Sequence, residues 1–203
     1  MTDDIQTLRD DIAYLKALAD GGQGRDALGG VLGMGAGGFF GAASLVQWLA
    51  MQHLIPLTQE AASLAWLIAT AAFFVLLAIV KLRWRSEGTA SGAAGFAWQG
   101  VGIGCFVIFA ALALASWRTQ SPLLILFAPS IVFVLYGAAW IAAGAALRRG
   151  WVQLTGWASF AASGLTAWFI GEPVSYLIYA AGLILLAFLP GLVFVLKARR
   201  TGE

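Results

Sequence analysis

The chain has 203 residues, of which 61% are hydrophobic and only 11% charged, so an ordinary water-soluble domain is excluded and a membrane protein is indicated. The 25 glycines follow no triplet period and there is one cysteine, which excludes a collagen-like fibre and a disulfide scaffold. The net charge is +2, and the 12 Lys and Arg residues are too scattered to predict direct nucleic-acid binding.

Residues 1–27 are predicted to form a cytoplasmic amphipathic helix and a linker. They lack the basic start and apolar run of a cleaved signal peptide. The helix is predicted from Asp4 to Asp20, where Gly21-Gly22 ends it. Its apolar residues recur at alternating steps of three and four and form what we call the amino-terminal stripe: Ile5, Leu8, Ile12, Leu15 and Ala19. An acidic rim that includes Asp4 and Asp11 borders this stripe.

Four surfaces compete to cover the amino-terminal stripe. A helix that lies on a membrane surface usually carries Lys and Arg on its polar face, whereas this one is acidic. Self-association as a coiled coil would give a homo-oligomer, but the helix has only about two and a half heptads. Packing on the basic loops of the same chain and docking to a cytosolic protein with a basic surface both fit the acidic rim.

Residues 28–196 are predicted to form a bundle of six transmembrane helices. A bilayer core about 30 Å thick needs roughly 20 apolar residues per helix. Six stretches without Asp, Glu, Lys or Arg meet this length: Leu28–Ile55, Ala61–Val80, Phe96–Ser116, Pro122–Leu147, Trp151–Ile170 and Val174–Leu196.

The basic residues predict the orientation of this bundle. All but Arg118 fall on one side of the six spans: Arg9, Lys16, Arg25, Lys81, Arg83, Arg85, Arg148, Arg149, Lys197, Arg199 and Arg200. The positive-inside rule places that side, with both termini and the basic tail 197–203, in the cytoplasm.

Small residues predict close contacts between helices. The first span has glycines at four-residue intervals, a glycine zipper that is expected to pack against another helix: Gly29, Gly33, Gly37 and Gly41. The pattern leaves open whether that helix belongs to the same chain. Two further small faces are predicted, with Gly100 and Gly104 on the third span and Ser159 and Ser163 among the small residues of the fifth.

Prolines and polar residues within the spans indicate whether the bundle could be a transporter. Pro129 and Pro190 are expected to kink the fourth and sixth spans. Coupled carriers generally keep an ionisable group deep in the membrane, and these spans contain no Asp, Glu, Lys or Arg, so coupled transport is disfavoured. Scattered polar residues such as Gln47, Ser130 and Thr166 could line a polar cavity or form hydrogen bonds between helices.

The sequence predicts no catalytic, cofactor or metal site. The single His53 and the single Cys105 belong to opposite halves of the bundle, which excludes a zinc, haem or Cys/His nucleophile site. A small polar site could assemble on the outer face from His53, Glu60, Arg118 and Glu172, but their spacing matches no known chemistry. The chain is therefore predicted not to be an enzyme.

Two segments carry a family resemblance. Asp11 to Ala19, read DIAYLKALA, and Leu189-Pro190-Gly191 before a basic tail resemble features of small six-span inner-membrane proteins of proteobacteria, a group without an assigned activity. The resemblance implies a bacterial inner-membrane location and supplies no catalytic residues.

These patterns together predict an all-α, multi-pass membrane protein whose surroundings are the lipid bilayer. The expected function is to dock a protein partner through the acidic amino-terminal helix and so to hold a soluble regulator at the membrane. The alternative is an uncoupled transporter or channel for a small solute.

Overall fold

The computed structural model describes residues 29–84 and 93–200, which are helical apart from short turns and include no β-strand. The prediction of an all-α fold is therefore confirmed for this part of the chain. The predicted amino-terminal helix lies outside the described residues, and so do all the site residues assigned to it: Asp4, Ile5, Leu8, Asp11, Ile12, Leu15 and Ala19.

Seven α-helical segments follow one another in this part of the chain. They are α1, described from Gly29 to Met51, α2 (Gln59–Trp84), α3 (Ala93–Thr119), α4 (Ala128–Ala146), α5 (Gly150–Trp168), α6 (Val174–Leu183) and α7 (Leu189–Arg200). A π-helical segment, Ile184–Phe188, joins α6 to α7. The three together form one continuous helical span, Val174–Arg200, which we call the last span.

Five helices among the described residues are long and apolar enough to cross a membrane. These are α1, α2, α3, α4 with the turn before it, and the last span. Helix α5 forms where the fifth span is predicted, but Gln153 and four Ser or Thr residues make its sequence more polar. It packs along α4, and the burial of Ser159 and Thr166 shields part of that polar surface.

Three helices end on residues in the left-handed conformation. His53 (φ 56°), Gln120 (φ 54°) and Arg148 (φ 52°) follow α1, α3 and α4. In each case the next residue donates its backbone N–H five residues back, as Leu54 does to the Leu49 carbonyl at 2.9 Å. These bonds satisfy carbonyls that the helix end leaves free and reverse the chain within a few residues. The short turns between spans follow from this geometry.

The fourth span begins later than the sequence predicts, and Pro129 does not kink it. A turn and a short 3-10 helix, Ile125–Phe127, occupy the stretch after Pro122. Pro129 lies in the first turn of α4, where the N–H that proline lacks would have no helical acceptor. The prediction of a kink at Pro129 is wrong for this reason.

Helix α4 lies at the centre of the core, whereas α2 and α3 lie at its periphery. Phe133 and Trp140 of α4 are buried and contact aromatic residues of the last span. By contrast, Leu67 and Ile68 on α2 and Phe106 on α3 expose 65–69% of their surface. Such exposure would be unfavourable in water, but lipid tails are as apolar as these side chains. The peripheral faces are therefore compatible with a bilayer as solvent.

Candidate functional site

The glycine repeat of α1 lies against the last span of the same chain. A Cβ added at Gly37 would lie 2.5 Å from the Phe188 backbone nitrogen and 2.7 Å from the Leu183 carbonyl oxygen. At Gly33 the nearest atom would be the Ala187 carbonyl oxygen, 3.2 Å away, and at Gly41 it would be a side-chain carbon 3.4 Å away. The contact is closest at Gly37, where the opposing atoms belong to the backbone.

The amino-terminal end of this contact uses a different glycine from the one predicted. Among the described residues, no atom lies within 4 Å of a Cβ added at Gly29. At Gly30 the added Cβ would lie 2.7 Å from the Gly191 carbonyl oxygen, and at Gly191 it would lie 2.5 Å from the Gly30 carbonyl oxygen. Gly30 and Gly191 thus let the two backbones approach each other. Gly30 lies one residue after Gly29, the first member of the predicted four-residue series. On the last span, the Pro190-Gly191 pair was the sequence feature that could have indicated this contact.

An aromatic side chain compensates for Pro190 in the last span. Pro190 has no N–H to donate to the Leu186 carbonyl four residues earlier. The indole Nε1–H of Trp140 donates to that carbonyl instead, at 2.8 Å. The π-helical segment Ile184–Phe188 ends two residues before Pro190, at the level where α1 packs. Trp140 therefore connects α4 to the irregular part of the last span.

Helices α4 and α5 meet through glycines that the sequence analysis did not single out. A Cβ at Gly137 would lie 3.0 Å from the Gly156 carbonyl oxygen, and one at Gly156 would lie 2.8 Å from the Gly137 carbonyl oxygen. Gly144 faces the backbone nitrogen of Gln153 in the same way, at 2.7 Å. The predicted small face on α3 packs less closely, because a Cβ added at Gly104 would lie 3.5 Å from a Leu135 side-chain carbon, an ordinary van der Waals distance.

Several polar side chains of the spans form structural hydrogen bonds. The Ser44 hydroxyl donates to the Tyr176 carbonyl at 2.7 Å and links α1 to α6. The hydroxyls of Ser130 and Thr166 lie 3.0 Å apart and link α4 to α5. The Thr166 hydroxyl also lies 2.9 Å from the Ala162 carbonyl oxygen of its own helix. A hydroxyl has one proton to donate, so when Thr166 donates to Ala162 the Ser130 hydroxyl is the donor between the two helices. Interhelical bonding, one of the two predicted roles, is thus observed at Ser130 and Thr166, and Ser44 adds a bond that was not predicted.

Of the four outer polar residues, His53 lines a described cavity. This cavity of about 470 Å³ lies at the turn between α1 and α2, and Thr58 and Gln59 also line it. Glu60, Arg118 and Glu172 are not among the residues that line it. Within the described part of the chain, no group of three His, Cys, Asp or Glu residues could hold a metal ion.

Two cations lie over aromatic rings at the opposite end. The Arg149 guanidinium carbon lies 5.7 Å from the centre of the Phe194 ring, and the Lys197 Nζ lies 5.4 Å from the centre of the Trp151 ring. The two rings are themselves 5.3 Å apart. Phe194 also stacks on Trp140 at 6.2 Å, which connects this end to the core.

Comparisons with protein-family models, with curated proteins and with solved structures found no match to this chain. The resemblance to six-span proteobacterial inner-membrane proteins therefore stays a prediction. The function has to be argued from the residues themselves.

Proposed function

We propose that the protein is a non-enzymatic membrane anchor that docks a cytosolic protein through its amino-terminal helix and holds a soluble regulator at the membrane. The supporting observation is that small and polar residues of the spans serve to pack the helices together. Gly37 and Gly156 lie in helix contacts, and the hydroxyls of Ser44, Ser130 and Thr166 form structural hydrogen bonds. The amino-terminal stripe is the feature of the sequence to which we assign partner recognition.

The proposed setting is a bacterial inner membrane crossed six times, with both termini in the cytoplasm. It rests on the distribution of basic residues, of which only Arg118 falls on the outer side. Helix α5 would be the sixth crossing, since it packs along α4 and two of its polar side chains, Ser159 and Thr166, are buried. No direct nucleic-acid contact and no cofactor are proposed.

The proposed docking surface is the amino-terminal stripe with its acidic rim. An apolar stripe beside carboxylates fits a partner that offers an apolar groove with a basic border. Homo-oligomerisation through the same stripe, and packing on the chain's own basic loops, are the competing arrangements.

Replacement of Ile12 by Asp tests this function. A carboxylate desolvated in an apolar interface costs several kcal/mol, so Ile12→Asp should abolish co-purification of a cytosolic partner from native membranes. The matched control is Ala17→Asp, because position 17 lies on the opposite face of the predicted helix and receives the same charge. Both variants should insert normally, since the spans begin at Leu28. An unchanged set of co-purifying proteins for Ile12→Asp, at normal abundance, would contradict the proposal.

An uncoupled transporter for a small polar solute is the second candidate. It is favoured by polar side chains that are buried inside the bundle: Gln47 is 8% exposed, Tyr136 8% and Tyr179 4%. Solute flux into proteoliposomes that contain the purified chain, lost on Gln47→Leu, would favour this candidate over the anchor.

A further inference from the structure

Three polar side chains inside the bundle form no hydrogen bond with the described part of the chain. They are Gln47 of α1, Tyr136 of α4 and Tyr179 of α6, and each is more than nine-tenths buried. We call their amide and hydroxyls the unpartnered groups. By contrast, every buried serine and threonine among the described residues forms a hydrogen bond, as Ser44 does to the Tyr176 carbonyl. Buried polar groups in folded proteins generally bond a protein atom or an ordered water, so the unpartnered groups require a partner from outside the chain.

The two tyrosines belong to the same packed cluster of the core. The Tyr179 ring contacts the ring of Phe133, which lies one helical turn before Tyr136 on α4, with 5.2 Å between ring centres. The two phenol groups are also close enough to interact electrostatically with each other and with the Cys105 thiol. Tyr179 stacks in addition on Trp66 of α2, with 6.3 Å between ring centres. One region between α2, α3, α4 and α6 therefore contains both unpartnered hydroxyls.

Gln47 connects this region to the cavity at the turn between α1 and α2. These two helices run in opposite directions, and Phe40 contacts Phe73 with 5.7 Å between ring centres. Gln47 follows Phe40 by seven residues and Trp66 precedes Phe73 by seven, so two turns on each helix bring Gln47 and Trp66 to one level. Ala50, one turn further along α1, lines the cavity. The unpartnered groups thus follow one another from this cavity into the bundle.

Aromatic rings close the region on the side away from the cavity. Tyr136 lies in the middle of the span Ile125–Ala146, which begins at the same end of the bundle as the cavity. The Trp98 ring lies 5.6 Å from the Tyr136 ring and 4.6 Å from the Trp140 ring, measured between centres. Trp140 is one turn further from the cavity than Tyr136, and its indole N–H already donates to the Leu186 carbonyl. Beyond Tyr136, the core is therefore aromatic and its polar group is satisfied.

We propose that water molecules extend from the cavity past Gln47 and Tyr179 to Tyr136, and end at the rings of Trp98 and Trp140. Water suits the unpartnered groups because it both donates and accepts, as an amide and two phenol hydroxyls require. An ion does not suit them, because these side chains carry no charge to compensate for its lost hydration. The bundle is then hydrated to its middle from one end. This inference depends neither on the docking partner nor on transport of a solute.

Hydroxyl-radical labelling of the full-length chain in lipid nanodiscs, read residue by residue by mass spectrometry, tests this proposal. An X-ray pulse forms the radicals from water, and they react close to where they form, so a buried ring is labelled when water lies beside it. After correction for the reactivity of the free amino acids, Tyr136 and Tyr179 should be labelled well above Phe133. Phe133 is the matched control because it is fully buried, contacts Tyr179 and has no polar group. Phe106, which is 65% exposed on the side of α3 proposed to face lipid, should also stay unlabelled.

Two variants separate bound water from general access of radicals to the rings. Gln47→Leu removes the unpartnered group nearest the cavity, so the labelling of Tyr136 and Tyr179 should fall to that of Phe133. The matched control, Thr166→Val, also replaces a buried polar side chain by an apolar one, but the hydrogen bonds of Thr166 lie within the chain. It should leave the labelling of both tyrosines as in the parent. Tyr179→Phe keeps the ring and removes the hydroxyl, and it should lower the labelling of Tyr136 if Gln47→Leu is unstable.

Four results would overturn the proposal. Labelling of both tyrosines at the rate of Phe133 would show that the region is dry. Labelling of Phe133 and Phe106 at the rate of the tyrosines would show that radicals reach the whole bundle. Labelling of Tyr179 alone would show that water stops before the middle of the bundle, and labelling that persists in Gln47→Leu would show that water enters elsewhere. Labelling of both tyrosines that is lost in Gln47→Leu and kept in Thr166→Val is the supporting result.

Discussion

Replacement of Gly37 by Ala is the most direct perturbation of the contact between α1 and the last span. The new Cβ would lie 2.5 Å from the Phe188 backbone nitrogen, 2.7 Å from the Leu183 carbonyl oxygen and 2.8 Å from the Phe188 Cβ. Two of these three atoms belong to the backbone and cannot move by a rotamer change. Helix α1 would have to separate from the last span to admit one methyl group.

The matched control for this change is the adjacent residue. A Cβ at Gly38 would meet only ring carbons of Phe188, at 3.6 and 3.7 Å, which is ordinary van der Waals contact. In both variants the free energy of unfolding rises by about 0.5–1 kcal/mol, because alanine loses less backbone entropy than glycine when the helix forms. This gain is the same in both variants. The difference between their free energies of unfolding therefore measures the steric overlap of the Cβ at position 37 with the last span, which should cost about 1–3 kcal/mol.

The free energy of unfolding of both variants can be measured in mixed micelles by titration with SDS, followed by far-ultraviolet circular dichroism. Gly38→Ala should unfold at the same SDS fraction as the parent or at a higher one, and Gly37→Ala at a lower one. Gly33→Ala, whose Cβ would lie 3.2 Å from the Ala187 carbonyl oxygen, should fall between them. Identical unfolding of Gly37→Ala and Gly38→Ala would refute the packing of α1 on the last span.

Two further predictions concern the last span and the orientation of the chain. Trp140→Phe should destabilise the bundle by about 1–3 kcal/mol, because the carbonyl that Pro190 leaves free loses its donor. In a Pro190→Ala background the new N–H of residue 190 can donate to the Leu186 carbonyl, so Trp140→Phe should lower the free energy of unfolding by less. An equal loss in the two backgrounds would contradict the idea that Trp140 compensates for Pro190. A reporter active only in the periplasm should be silent after Glu203 and active in the turn between α1 and α2, and the opposite pattern would contradict cytoplasmic termini.

The sequence predicts the positions of the helices well because each apolar run is bounded by charged residues or by short turn segments. It also identifies the repeat that includes Gly33 and Gly37. Four residues advance a helix by about 400°, so a strict four-residue series rotates by about 40° at each step. The contact with the last span runs through Gly30 rather than Gly29, and a register shift of this kind depends on how the two helices cross.

Other features depend on which helices become neighbours. Gly137 and Gly156 lie in different helices, and neither belongs to a short repeat, so only the pairing of α4 with α5 gives them a role. The placement of Pro129 follows from the turn before α4, which the continuous apolar sequence from Pro122 conceals. The bond from Trp140 to the Leu186 carbonyl requires the fold to bring together residues 46 positions apart.

The central claim, that the amino-terminal stripe docks a separate protein, can be tested by photo-crosslinking in intact cells. A photoreactive residue at Leu8 lies on the stripe, and one at Asp10 lies on the opposite face of the predicted helix. The photoreactive residue at position 8 should capture a cytosolic protein, the one at position 10 should not, and Ile12→Asp should abolish the product formed at position 8. Leu8 products that map only to the chain's own basic loops, or to a second copy of the chain, would contradict it.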